Sequence, residues 1–292
     1  MNRIYYKIDD WIGDNYNKIS SKSLSSNPFA IELMLENEIK FHKSEISKNT
    51  NDLFIKHFLL LPKNQVYINW SDFSMNFADE AVSHLFKNLD KINWISFSRN
   101  SNSRVIDYLE KNPNKIVWSS LSANPSAIKI LKENKHRIDY EELSKNTNPE
   151  VLDLYKNNKK RLNWSYLSRN SAAVKLLLLN KTSIQKIDWI EFNRNESKEA
   201  VDYLIKNPKY ICEYTLSMNK FAIDFLKANP DKINWESIGY NKGIFIINYR
   251  RMKRKFKVIA EEIYTKAVHP KRICRLIEEY GDEEVYKNFF DE

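Results

Sequence analysis

The sequence predicts an all-α protein: an α-α solenoid, or superhelix, of about ten two-helix repeats of 22–27 residues with helical caps. Three observations predict it. Tryptophans recur at nearly constant steps, an asparagine follows each at a fixed distance, and glycine is scarce, with 4 in 292 residues. Sandwiches, barrels and Gly-rich nucleotide folds spend glycine on turns and phosphate loops, so the scarcity argues against them.

Trp70, Trp94, Trp118, Trp164, Trp189 and Trp235 mark six copies, and Tyr140 and Glu213 fill the two gaps between them. Six residues after each of these eight positions stands Asn76, Asn100, Asn124, Asn146, Asn170, Asn195, Asn219 or Asn241. Asn27 and Asn49 mark two earlier copies that lack the tryptophan. The repeats thus span 19–249, with an N-terminal cap over 1–18. A C-terminal helical cap with a basic cluster covers 250–292, its helix beginning as early as about 242.

Each copy reads as two helices. The first opens on an N-cap that accepts from orphan backbone N–H groups: Asn69, Asn93, Asp139, Asn163, Asp188 or Asn234. An apolar residue before the cap and another five positions on, such as Ile92 and Phe97, form a hydrophobic staple. Glu142 and Glu191 stand where a capping box puts its reciprocal carboxylate. The second helix carries a small residue, then Ile or Val, then Leu on one face, as in Ala127, Ile128 and Leu131.

The recurrent asparagine keeps its distance from the tryptophan where insertions follow it, so it serves the end of the first helix. Two roles fit: a left-handed residue past the helix end, or a stacked amide bonding backbone between repeats. Glycine never takes the position, which favours the stacked role. A unit this short cannot bury its own apolar face and must stack on neighbours. Ten layers at 8–10 Å predict a rod or superhelix on the order of 90 Å long.

At the ends the pattern changes. Trp11 is out of register and, with Tyr5, Tyr6 and Ile8, is expected to cap the first repeat. Phe245, Tyr249, Met252, Phe256, Ile259 and Ile263 form one stripe of a long helix. His269-Pro270 then opens a last helix with Ile273, Leu276, Ile277 and Tyr280 on one face, stopped at Gly281.

The pattern Ile-Asn-Trp-x-x-Leu-Ser-x-Asn-Pro, clearest at 116–134 and 162–180, resembles a repeat of giant DNA virus proteins, the mimivirus-like and algal-virus-like groups. The closing segment from Val268 to Gly281 is similar to the way those proteins end. The resemblance implies a viral assembly component or host-interaction scaffold, in the host cytoplasm, the viral factory or the virion. Only Asn27 and Asn124 keep the proline directly after the asparagine, a departure from the pattern.

Motifs for chemistry are missing. His42, His57, His84, His136 and His269 are scattered, with no His-Glu-x-x-His and no Cys-x-x-Cys. No phosphate loop and no nucleophile elbow occur, and the recurrent serines (Ser74, Ser98, Ser122, Ser144, Ser168, Ser217) read as helix-end hydrogen bonders. The expectation is a protein that is not an enzyme, with no cofactor, metal or small-molecule substrate. Cys212 and Cys274 read as free thiols of a reducing compartment, and no apolar run is long enough for a signal peptide or a membrane span. A cytoplasmic or virion location, without secretion or membrane insertion, is expected.

Net charge is +9. Many second helices end in cations, among them Lys111 and Lys115; Lys132, Lys135 and Arg137; Lys156, Lys159, Lys160 and Arg161; Lys206 and Lys209; Lys227 and Lys232. Stacked, they form a ribbon that either complements helix C-termini or tracks a phosphate backbone. Arg99, Lys145, Arg169 and Arg194 form a second set beside the asparagines. Arg250, Arg251, Lys253, Arg254, Lys255 and Lys257 put six cations into eight residues. They read as a solvated face, with nucleic acid, an acidic protein or a membrane surface as the sharper readings. The tryptophans, at a first turn beside a staple, are expected to pack in the core rather than stack bases. The leading reading is a scaffold for a protein partner; the alternative is a nucleic-acid-binding solenoid.

Overall fold

The computed structural model describes residues 6–156, 158–267, 269 and 272–275. Within them the chain is all-α, made of many short helices. Two three-residue strands, β1 (Tyr6–Ile8) and β2 (Phe245–Ile247), pair with each other. The chain divides into two compact units; one spans Lys7–Ile246, and the other contains the C-terminal helix Tyr249–Ala267. Residues 272–275 are helical, while Leu276, Ile277, Tyr280 and Gly281 of the expected last helix lie outside the described residues.

The helices of Lys7–Ile246 are three to nine residues long, too short to persist alone. Local signals start them as expected. Asn69, Asn93, Asp139, Asn163 and Asp188 each accept a backbone N–H of the first turn. Ile92 and Phe97, like the other staple pairs, are buried. The residue three past each tryptophan position is fully buried, from Phe73, Phe97 and Leu121 through Leu143, Leu167, Phe192 and Leu216 to Ile238.

What holds one copy to the next is a ladder of buried asparagines. Asn124 donates from Nδ2 to the carbonyls of Ser98 (3.0 Å) and Asn100 (2.9 Å) in the preceding copy. Asn100 reaches Ser74 and Asn76 in the same way, and Asn146 reaches Ser122 and Asn124. Asn49, Asn76, Asn170, Asn195, Asn219 and Asn241 repeat the pattern on their own predecessors. The backbone at these asparagines is extended, with φ −86° and ψ 116° at Asn124. The stacked role is therefore observed and the left-handed one is not. The residue also does something unexpected: Asn124 Oδ1 accepts from Ser126 N (3.0 Å), so the same amide caps its own second helix.

The serine two residues earlier forms a second rung. Ser122 Oγ donates to Trp118 O in its own helix (2.8 Å) and accepts Asp139 N of the following copy (3.0 Å). Ser168 treats Trp164 O and Asp188 N alike. The N-cap N–H is thereby satisfied from the preceding copy. This corrects the capping-box expectation: Glu142 is left to bind Arg99 and Lys145, and Glu191 to bind Arg194.

The ladder has no free end. Asn27 in the first copy donates to Gly239 O (2.9 Å) and Asn241 O (3.5 Å) in the tenth. Stacking predicted a rod or superhelix; these bonds instead bring the first copy against the tenth within Lys7–Ile246. Gly239 stands where most copies have the serine; a Cβ there would lie 2.1 Å from Ser23 Oγ and 2.7 Å from Ile19 Cγ2. The N-terminal segment completes the tenth copy. Asp9 N donates to Ile244 O (2.8 Å), and the Asp9 carboxylate pairs with Lys227 (2.9 Å). Lys227 also lies over the Trp11 ring, 5.8 Å from its centroid.

Candidate functional site

Each tryptophan is half-buried rather than sealed in the core. Its partner comes from the following copy, three residues before the next tryptophan position. Lys91 lies over Trp70 (5.0 Å to the ring centroid), Lys115 over Trp94 (5.0 Å), Arg137 over Trp118 (4.9 Å), Arg161 over Tyr140 (4.3 Å) and Lys186 over Trp164 (4.5 Å). Lys18 covers Trp235 across the seam at 5.5 Å. A cation held over an indole face is attracted by the ring quadrupole.

Where the residue types change, the pairing survives. Lys43 occupies a tryptophan position and lies over Tyr67, 4.2 Å from its centroid. Glu213 occupies another and binds Lys232 at 3.0 Å. Trp189 is stacked on Tyr210 with centroids 3.6 Å apart. Second-helix rings flank the indoles as well: His84 beside Trp70, Tyr108 beside Trp94 and Tyr203 beside Trp189. Burial, with Lys91 and Lys87 nearby, lowers the His84 pKa.

This accounts for much of the predicted ribbon. Lys115, Arg137 and Arg161 of the ribbon each cover an aromatic, a job that neither sequence reading assigned. Others pair with carboxylates: Lys132 with Glu150, Lys156 with Asp153 (2.7 Å) and Lys227 with Asp9. Lys160 is exposed, and Lys159 sits in the 3₁₀ turn Lys159–Arg161 with its side chain outside the description. The signal that could have found the clamp was present: a basic or aromatic residue three positions before most tryptophans.

The second basic set lies elsewhere. Arg99 Nη2 binds Glu142 (2.9 Å) two copies away, passing the copy that carries Ala123. Arg99 thus bridges copies two apart. Burial and the carboxylate of Glu45, again two copies away, raise the pKa of Tyr240. Lys145 also lies over Tyr166 at 3.8 Å, and Arg194 binds Glu191 at 2.5 Å. Arg99 and Lys145 pair with Glu142 and Arg194 with Glu191, so these three offer no uniform field to a polyanion, while Arg169 is exposed.

An open groove of about 550 Å³ is lined by Ser119, His136, Arg137, Ile138, Asp139, Tyr140, Glu141 and Arg161. Its carboxylates are engaged: Asp139 caps its helix at Glu142 N, and Glu141 accepts Asn163 Nδ2 (3.0 Å). Among the described residues no group of three or more His, Cys, Asp and Glu is placed to hold a metal, and no helix is long and apolar enough to cross a membrane.

In the C-terminal helix Arg250, Lys253, Arg254 and Lys257 are exposed. Arg251 is half-buried, and its backbone N–H donates to Asn248 Oδ1 (3.0 Å). The Lys255 side chain lies outside the description. No family model, curated protein or solved structure matches the chain.

Proposed function

We propose that residues 7–246 are an α-α solenoid of ten two-helix repeats joined end to end, serving as a non-catalytic scaffold for a macromolecular partner. One observation carries the reading. The buried frame is nearly constant from copy to copy, while the residue just after the tryptophan position differs: Lys22, Ile95, Glu141, Ile190, Tyr214 and Glu236, with serine at Ser44, Ser71, Ser119 and Ser165. A constant frame with a varied outer surface is how stacked repeats present a binding face. Ile95, Ile190 and Tyr214 expose 57%, 58% and 42% of their surface, an apolar content suited to a protein partner. The likeness of the repeat to those of giant DNA virus proteins supports a viral assembly or host-interaction role, in the host cytoplasm, the viral factory or the virion.

Co-precipitation from infected cells tests the reading, with wild type beside a triple variant, Ile95→Ser, Ile190→Ser and Tyr214→Ser. The scaffold reading expects a partner that resists salt and is lost from the variant at unchanged melting temperature. Retention of every partner by the variant would contradict it.

A further inference from the structure

We infer that the C-terminal helix Tyr249–Ala267 is a binding stripe for the phosphate backbone of duplex nucleic acid, and that the basic ribbon is not. The inference is independent of the scaffold reading. Arg250, Lys253, Arg254 and Lys257 recur at helical spacings of three and four, so they form one stripe about 10 Å long. All four are exposed, and among the described residues only Lys257 has a carboxylate near, Glu261 at 3.8 Å.

The placement runs against helix stability. The first turn holds no acidic residue, and Arg250 and Arg251 stand at the positive end of the helix dipole. Arg250 with Arg254, and Lys253 with Lys257, are like-charge pairs one turn apart. A local rule broken without an internal gain marks a functional surface. Much of the ribbon differs: Lys115, Arg137 and Arg161 cover aromatics, and Lys132, Lys156, Lys227 and Lys232 have carboxylates.

The duplex is favoured over single-stranded nucleic acid. Single strands need aromatic platforms, and the described tryptophans already carry ring or cation neighbours.

The test is fluorescence anisotropy of the full chain with a labelled 20-base-pair DNA duplex over a salt series. Four phosphate contacts predict a slope of log affinity against log salt of about −3 to −4. The quadruple variant Arg250→Gln, Lys253→Gln, Arg254→Gln and Lys257→Gln should lose affinity more than about tenfold at low salt and flatten that slope. Its melting temperature should be unchanged or higher, which separates lost binding from lost folding. A ribbon variant, Lys115→Gln, Lys135→Gln and Lys160→Gln, should bind within about twofold of wild type. Absence of duplex binding by wild type, equal binding by the helix variant, or equal loss in the ribbon variant would overturn the inference. So would tighter binding to phosphatidylserine vesicles or single-stranded RNA than to the duplex.

Discussion

The copies around Asn100 and Asn124 and the seam between Asn241 and Asn27 do the same job with different parts. In the middle, a serine joins each copy to the next and a lysine or arginine from one chain segment covers the indole of another. At the seam the serine is replaced by Gly239, and the covering cation, Lys18, comes from the N-terminal segment. Yet the asparagine bonds are of the same kind on both sides. What is invariant is the set of backbone carbonyls that must be satisfied once buried. The side chains around it are free to change.

The largest expected effect comes from the ladder itself. Asn124→Ala leaves two buried carbonyls and the Ser126 N–H without their partner, and should cost about 3 kcal/mol or more in chemical denaturation. Asn27→Ala should cost nearly as much, because its carbonyl partners are also buried. A small effect at Asn27 beside a large one at Asn124 would mean that the first copy is a free end. Gly239→Ser sharpens the same contrast. It installs the residue that most other copies carry, yet should destabilise by about 1–3 kcal/mol, because its Cβ would meet Ser23 and Ile19.

Smaller effects belong to the clamp. Arg137→Ala should cost about 0.5–1 kcal/mol, as an exposed cation over an indole does. His84 adds a pH term. Its pKa is lowered in the fold, so the unfolded chain binds the proton more readily. Stability should therefore decline as pH falls below about 6.5 and level off below the folded pKa. His84→Tyr, which copies Tyr108 and Tyr203, should remove that decline in melting curves between about pH 5 and 8.

Much of the frame was legible in the sequence because it is local. The caps at Asn93 and Asp139, the staples and the alanines of the second helices follow from spacing alone. The interior role of Asn146 followed from an insertion that moved its neighbours and left it in place. Closure was not legible, since the Asn27 bonds join residues 212 and 214 positions apart, which no single copy encodes. Gly239 was its one local trace: glycine where the pattern has serine. The clamp was missed for a similar reason. Lys115 precedes Trp118 in the chain but serves Trp94, and spacing within one copy does not tell which tryptophan a cation covers. Asparagines outside the ladder have a structural use as well. Asn112, Asn134 and Asn207 each bond a carbonyl four residues back at a second-helix end.

The central claim is that the first and tenth copies are neighbours. It is tested by the distance between spin labels on cysteines placed at Lys22 and Glu236, both exposed, with Cys212 and Cys274 replaced. A control pair at Ser119 and Glu141 reports the spacing of adjacent copies. The account predicts that the two distances agree within the length of the labels. A separation of roughly 70–90 Å, as nine open layers at 8–10 Å would give, would contradict it.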